Sequence, residues 1–379
     1  MSQPTFVYDP TTAAFQANLH EIYRELRDEH PVYVDSNGTY VLSRFVDVWN
    51  AVHSWDVFSS DHVAEAAEQL PSMIYMDPPR HSELRALVSR AFTPKRVADL
   101  EPRIREVARG LLDHISSPFD VAQRYAAPLP SIIMSELIGV PEEHRESFRT
   151  WTEAFIEVTG PEDIASRVEN IYALFATLLE DRRRRPANDL MSALLAAEVD
   201  GTRLTDDELV GFCFLLLIAG NDTTTTLIGN GTELLARHAD QRAELIADPA
   251  LIPAAVEEMV RIESPTQALP RTTMRDVELH DTLIPSGSRV MLLWGAANLD
   301  HREFPDPDRF DIHRDIKRHL GFGHGIHFCI GASLARLEAR VAFEELLHRM
   351  PRYEVVEQPE RFVSNWARAW RALPVRSER

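Results

Sequence analysis

The stretch LGFGHGIHFCIGASLAR, residues 320–336, contains Cys329, one of only two cysteines in the chain, among four glycines, two histidines and two phenylalanines. Helical spacing starts directly after it, with Ile330, Leu334, Leu337 and Val341 at steps of four, three and four. Cys329 therefore stands just ahead of a helix, where free N–H groups and the positive dipole end favour an anion. Thiols so placed have lowered pKa values. Gly323, Gly325 and Gly331 permit positive φ and let backbone approach a flat partner closely. Such a loop can aim N–H groups at a thiolate, which is a strong metal ligand. Two other readings stay open on these residues alone. One is a buried apolar cysteine on a glycine-rich turn. The other is zinc held by His324, His327 and Cys329, which lacks the paired cysteine spacing of structural zinc sites, since Cys213 lies far off in an apolar helix.

The remaining chain supports a large enclosed core. It has 379 residues, 44% of them hydrophobic, with no linker, low-complexity tract or solenoid repeat. One intimately packed domain over residues 1–379 is the expectation. The 59 acidic against 40 basic residues give a net charge of −19, which argues against non-specific binding to nucleic acid or anionic membrane. MSQPTFVYDPTTAAF does not read as a signal peptide, and the apolar run from Leu209 to Gly220 is too short to span a bilayer. Two distant cysteines do not suggest a disulfide framework. A soluble, cytoplasmic monomer is expected.

Helical patterning dominates. LHEIYRELRDEH reads as a helix, and PVYVD and TYVLS around an Asn-Gly step read as a β-hairpin. Helix-like segments follow as far as Arg261, with short strands expected at DVELH and SRVMLLW. From Asn298 to His327 the chain is rich in Pro, Asp, His and Gly and looks irregular. A run of that length inside a compact domain is usually functional. The fold class is mainly α with a small β-rich part near the N-terminus.

Three further stretches carry chemistry. TDDELVGFCFLLLIAGNDTTTTLIGNGTELLARH opens with Thr205 and Glu208 at capping-box spacing, runs apolar, then meets Gly220, Asn221, Asp222 and the threonines 223–226. It is either a helix emerging at the surface or a buried helix with a distorted turn, where threonine hydroxyls compete for backbone carbonyls. VEEMVRIESP puts Glu258 and Arg261 three apart on one helix face, and MDPPRHSELRALVSRAFTP puts His81 and Arg85 one turn apart.

FGHGIHFCIG, Phe322 to Gly331, resembles the haem loop F-G-x-G-x-H-x-C-x-G of the cytochrome P450 family, with every specified residue present. Ala219 to Thr223 resembles the family's A/G-G-x-D/E-T, and Glu258-Met-Val-Arg261 its E-x-x-R. The order and spacing of these motifs, from about Leu26 to Arg376, extend the likeness over nearly the whole chain. The resemblance implies the P450 fold and haem b, with Cys329 as the iron's thiolate ligand. Phe322 would pack near the sulfur within the loop of Gly323 and Gly331. His327, together with His81, Arg85 and Arg271, would hold the propionates. Arg314 would complete a buried network with Glu258 and Arg261. Ala219 would border the haem, Gly220 would leave room for dioxygen, and Asp222 and Thr223 would relay protons. Leu216, Ala219, Thr223 and Leu269 would line the substrate pocket, with walls from the loops around Ala64 to Tyr75 and Thr266 to Leu269.

The implied activity is monooxygenation of a hydrophobic small molecule. Electrons would come from NAD(P)H through a separate ferredoxin reductase and ferredoxin. Arg90, Lys95, Arg96, Lys317, Arg318, Arg336 and Arg340 are the cations expected at the docking face. The arginine run in DRRRRPANDLMSALL matches a family inter-helix segment and reads as a solvated helix end. A haem-thiolate peroxygenase or oxidative coupling enzyme is the rival on the same scaffold, and a non-catalytic haem or ligand carrier the rival from another class.

Overall fold

The computed structural model describes residues 6–61, 72–113, 115, 117–145, 161–199, 201–356 and 358–377. The long helix Asp206–Arg237 runs through the middle, and its capping box is complete. The Glu208 N–H donates to Thr205 Oγ1 at 3.3 Å, and the Thr205 N–H to Glu208 Oε2 at 2.9 Å. Helices Pro128–Ile138, Pro161–Arg184, Ile252–Ile262 and Ala332–Arg349 pack around it. Their shared core includes Leu217, Leu227, Ile228, Phe175, Ile133 and Phe343. Each such side chain contributes ~1.5–3 kcal/mol by leaving water. At 32 residues the long helix has the length and apolar composition to cross a bilayer, which the sequence reading denied it; its apolar faces are covered by protein instead. The helix is also unbroken. The expected competition for carbonyls is present within it: the Thr223 and Thr226 hydroxyls donate to the carbonyls of Ala219 and Asp222 one turn earlier.

The β-rich part is a five-stranded sheet in the order Val32–Val34, Tyr40–Leu42, Arg289–Leu293, Ala268–Thr273, Phe58–Ser59. The expected hairpin is present, pairing Val32 with Leu42 and Val34 with Tyr40 around Gly38 at φ +79°. Tyr40–Leu42 runs parallel to Arg289–Leu293, and the other pairs are antiparallel. One face covers a second apolar cluster of Phe45, Val48, Val290, Leu292, Trp294 and Phe304. DVELH contributes the small hairpin strand Val277–Leu279, paired with Thr282–Ile284. The segment expected as a loop around Thr266 to Leu269 enters a strand at Ala268, where Leu269 pairs with Leu292. Residues 64–71 of the other expected pocket loop lie outside the described residues.

Between Asn298 and Cys329 the backbone is irregular, as the composition predicts, apart from one 3-10 turn at Gly325–His327. Such a coil needs outside partners for its backbone polar groups. Several come from buried side chains. The Leu320 N–H donates to Asn298 Oδ1 at 2.7 Å, and the Asp311 N–H to Glu258 Oε1 at 3.1 Å. Both Asn298 and Glu258 are buried.

Candidate active site

The Cys329 loop closes on itself: the Cys329 N–H donates to the Phe322 carbonyl at 2.9 Å. Gly323 and Gly325 take the left-handed conformation, φ +64° and +67°. At Gly325 a side chain has no room, since its Cβ would sit 2.2 Å from the Val52 carbonyl oxygen. Gly331 does not share this conformation: its φ is −84°, and its Cβ would lie 3.9 Å from Cys329 Sγ. It caps the helix Ala332–Arg349. The N–H groups of Gly331 and Ala332 favour the anionic form of the sulfur, as the helix-start position predicts. The expected lowering of the thiol pKa does not follow. Burial is the larger effect and pushes the thiol up, against the Gly331 N–H, Arg85, Arg336 and the Ala332 N–H. Zinc finds no ligand set: among the described residues no group of three or more His, Cys, Asp or Glu could hold a metal ion. His324 instead pairs with His53 at 3.0 Å, and the His327 ring lies 4.4 Å from that of His81.

Next to the loop, two arginines and two imidazoles, Arg85, Arg271, His81 and His327, form a box. His81 is 2% exposed, and neither ring nitrogen has a partner. The Nε2 of His327 is likewise buried and unpartnered. Arg271, on the strand Ala268–Thr273, is 5% exposed and, among the described residues, donates only to its neighbouring carbonyl, Pro270 O, at 2.7 Å. Arg85 donates to Phe328 O at 2.7 Å. The electrostatics match. Burial, then Arg271, His81 and Arg85, push His327 down to about 3. Burial lowers Arg271 to about 10, against the opposing charge of Asp77. Burial followed by Arg85 lowers His81. Asp77 is itself engaged by Ser59 Oγ at 2.5 Å and the Ser60 N–H at 3.2 Å. This is the geometry of a site that takes an anion.

On the other side of the loop every charge is matched. Glu258 and Arg261, both 0% exposed, form a two-pronged pair at 2.6 and 2.8 Å. Arg314 Nε donates to Glu258 Oε1 at 3.1 Å, and its other nitrogens to the carbonyls of Pro305, Asp306 and Arg309. Arg261 also donates to Asn298 O at 2.8 Å, so Asn298 couples the network to Leu320, where the Cys329 loop begins.

The long helix presents Ala219, exposed, and Thr223, half-buried, one turn apart. Thr223 Oγ1 donates to Ala219 O at 2.6 Å. Asn221 and Asp222 are buried side by side, Asn221 Nδ2 donating to Asp222 Oδ1 at 3.2 Å. Burial of this polar cluster rules out an emerging surface helix. Gly220 points elsewhere than expected. Its Cβ would lie 2.2 Å from the Met134 methyl, so its missing side chain admits Met134 of a neighbouring helix rather than a ligand. Ala219 is the small residue that faces open space. Leu216 is also displaced from its expected role: it is buried in the main core, while Leu215, one turn before Ala219, is only partly covered. Leu269 is half-buried on its strand.

The model of the family "Cytochrome P450" matches residues 232–365. The cytochrome P450 monooxygenase PikC of Streptomyces venezuelae is 44% identical over 385 residues, covering 96% of this chain and 92% of that protein. The chain belongs to the cytochrome P450 family. The vitamin D(3) 25-hydroxylase of Pseudonocardia autotrophica is 42% identical over 359 residues, covering 91% of this chain and 89% of that one. The structure of cytochrome P450 CYP109Q5 from Chondromyces apiculatus superposes with a TM-score of 0.92 at 43% identity, covering 98% of each chain. This is therefore the P450 fold, and the protein is a haem-thiolate monooxygenase carrying haem b. The site fits that cofactor. Unpartnered buried histidines and Arg271 suit propionate carboxylates, and the N–H groups of Gly331 and Ala332 favour an anionic sulfur at Cys329.

Some of the P450 machinery escapes sequence reading. Asn298 and the carbonyl of Phe328 act through partners distant in sequence. Glu338 had a readable signal. It is one turn from Leu334 on the apolar face of its helix, 1% exposed, and burial pushes it up to about 8 against a hydrogen bond with Thr224. The expected basic docking patch is muted. Lys95 pairs with Asp99, Lys317 with Asp315, Arg318 with Glu303, Arg336 with Glu257 and Arg340 with Glu101. Arg90 donates to Glu198 O at 2.7 Å.

Proposed function

We propose that this P450 inserts one atom of dioxygen into a hydrophobic small molecule, with electrons delivered from NAD(P)H by a ferredoxin reductase and a ferredoxin. The observation that carries the reading is the juxtaposition of exposed Ala219, the Thr223 hydroxyl hydrogen-bonded to it, and buried Asp222. When bound, the haem supplies an iron centre at which dioxygen is reduced, one atom entering substrate and the other leaving as water. The chain supplies the rest. Cys329 is assigned as the thiolate ligand, and His81, Arg85, Arg271 and His327 hold the carboxylates and fix orientation. Thr223 Oγ1 lies where it can hold a water and pass a proton, and Asp222 is the acid that replenishes it. This acid–alcohol pair favours dioxygen over peroxide as oxidant, against the peroxygenase reading. A carrier would have no use for it.

Apolar Leu215 and Leu269 suit a hydrophobic substrate, a class with which the relative named vitamin D(3) 25-hydroxylase agrees. An acidic ferredoxin suits the docking cations even though they are paired. Surface ion pairs are worth only ~0–1 kcal/mol, so an acidic partner can exchange for them at little cost. A cytoplasmic setting, where NAD(P)H and ferredoxins are at hand, completes the reading.

The test is Thr223→Ala with a surrogate ferredoxin system and a substrate found by its low-spin to high-spin shift. NAD(P)H consumption should continue while peroxide replaces product. Unchanged coupling would remove Thr223 from the relay. No reductant-dependent product from any compound giving the spin shift would favour the carrier.

A further inference from the structure

Beneath the Cys329 loop lies a charge cluster to which the reaction as described gives no part beyond Arg336 as a docking cation. Arg336, on the helix that begins just after Cys329, rests its guanidinium over the Phe322 ring, 4.3 Å from the centroid. Phe322 is the residue whose carbonyl accepts the Cys329 N–H. Arg336 is held from below by Glu257, with Nε to Oε1 at 2.6 Å and Nη2 to Oε2 at 2.9 Å. Glu257 takes a second partner, His319 Nε2, at 3.0 Å. The His319 ring flanks the same Phe322, 5.8 Å away, and its Nδ1 accepts the Gly321 N–H at 3.0 Å. Phe322 is thus gripped between a cation and an imidazole that share one carboxylate.

Glu257 directly precedes Glu258 of the buried network, so one helix turn serves both. The roles differ. Glu258 is enclosed and matched by two arginines, whereas Glu257 neutralises a cation stacked on Phe322, the residue whose carbonyl holds the Cys329 N–H. Although burial opposes it, Arg336 and His319 hold Glu257 down to about 2, so it is an anion at any working pH.

We propose that Glu257 is a positioning residue that sets the reduction potential of the haem by cancelling the positive charge of Arg336 beside the Cys329 thiolate. The inference rests on Cys329 being the iron's ligand. The physics is electrostatic: adding one electron at the iron is favoured by uncovered positive charge nearby and disfavoured by uncovered negative charge. Glu257 and Arg336 are therefore predicted to act with opposite signs.

The experiment is a dye-mediated spectroelectrochemical titration of the substrate-free holoenzyme, following the one-electron ferric–ferrous equilibrium. Glu257→Gln should shift that equilibrium about tenfold toward the reduced form, 59 mV upward for one electron. Arg336→Gln should shift it about tenfold the other way, and Arg336→Lys, which keeps the charge, should stay within about threefold of the parent. The double Gln variant should also return close to the parent, the signature of a coupled pair. Should Glu257→Gln not fold, the Gln and Lys variants at Arg336 decide the matter. Shifts of the same sign for Glu257→Gln and Arg336→Gln, or no shift beyond about twofold in either, would overturn the proposal. The ferrous-carbonyl spectrum of the parent separates the two failures. A parent without the red-shifted thiolate band would overturn the ligand assignment instead, and this inference with it.

Discussion

Of the charged clusters that border the Cys329 loop, the Glu258 network and the His81–Arg271–His327 box stand in contrast, for only the first is complete. Glu258, Arg261 and Arg314 saturate one another and the nearby carbonyls. His81, Arg271 and His327 bring buried donors together with little to receive them. The first arrangement is that of a structural brace. It fixes the coil that delivers Cys329 and needs nothing from outside. The second is that of a binding site, because leaving buried polar groups unpaired costs ~1–3 kcal/mol each unless a ligand pairs them. Motif matching treats both clusters alike; hydrogen-bond accounting tells them apart.

The contrast predicts opposite responses to mutation. The largest effect belongs to the brace. Glu258→Gln strands the buried guanidinium of Arg261 and the half-buried one of Arg314 and should cost ~3–5 kcal/mol, seen as loss of soluble, folded holoprotein or a steep fall in Tm. A neutral result would mean that the network is not braced through Glu258. In the box, Arg271→Met should weaken haem retention by about tenfold or more, since a charge-assisted hydrogen bond is worth ~1.5–3 kcal/mol. The same change should leave the haem-free protein as stable as its parent or more so, because it removes a buried charge with little pairing. Haem transfer to an acceptor globin, set beside urea unfolding of the haem-free form, separates the two effects.

The pH dependence sharpens the same point. His327 sits at about 3 in the folded chain against an ordinary value of 6.5, and His81 is shifted in the same direction. Between these values the unfolded chain binds more protons than the folded one. Haem-free protein should therefore be at full stability above pH 6.5 and lose it as pH falls toward 3. The slope is at most ~1.4 kcal/mol per pH unit for each histidine. His327→Gln should flatten the curve, and bound haem, whose carboxylates beside both rings raise their folded values back toward 6.5, should make the loss smaller. A curve that His327→Gln leaves unchanged would remove this histidine from the box. The smallest effects separate the loop glycines. Gly325→Ala meets the Val52 carbonyl and a left-handed φ, and should cost ~1–3 kcal/mol in thermal stability. Gly331→Ala, at an ordinary φ with space around it, should stay within ~0.5 kcal/mol.

What the sequence showed follows from how local each feature is. The Cys329 loop, the Glu258–Arg261 turn and the Thr205–Glu208 capping box are single-segment devices whose spacing is set by backbone geometry, so they can be read directly. The hairpin over residues 32–42 is legible for the same reason. Asn298 is not, because its value lies in joining Arg261 to Leu320 across distant positions. Gly220 and Leu216 were placed on the right helix but given the wrong neighbours. Which way a helical residue points depends on what packs against it, here Met134 for Gly220 and the main core for Leu216. The lowered thiol pKa expected at Cys329 failed because position relative to a helix is visible in sequence and depth of burial is not.

The central claim is that the Cys329 sulfur is the ligand around which both clusters are arranged, and the ferrous-carbonyl spectrum tests it most directly. The haem-loaded parent should show the red-shifted Soret band of a thiolate-bound haem, and Cys329→Ser should lose it while the fold survives by circular dichroism. Retention of that band in Cys329→Ser, or its absence from the parent, would contradict the account.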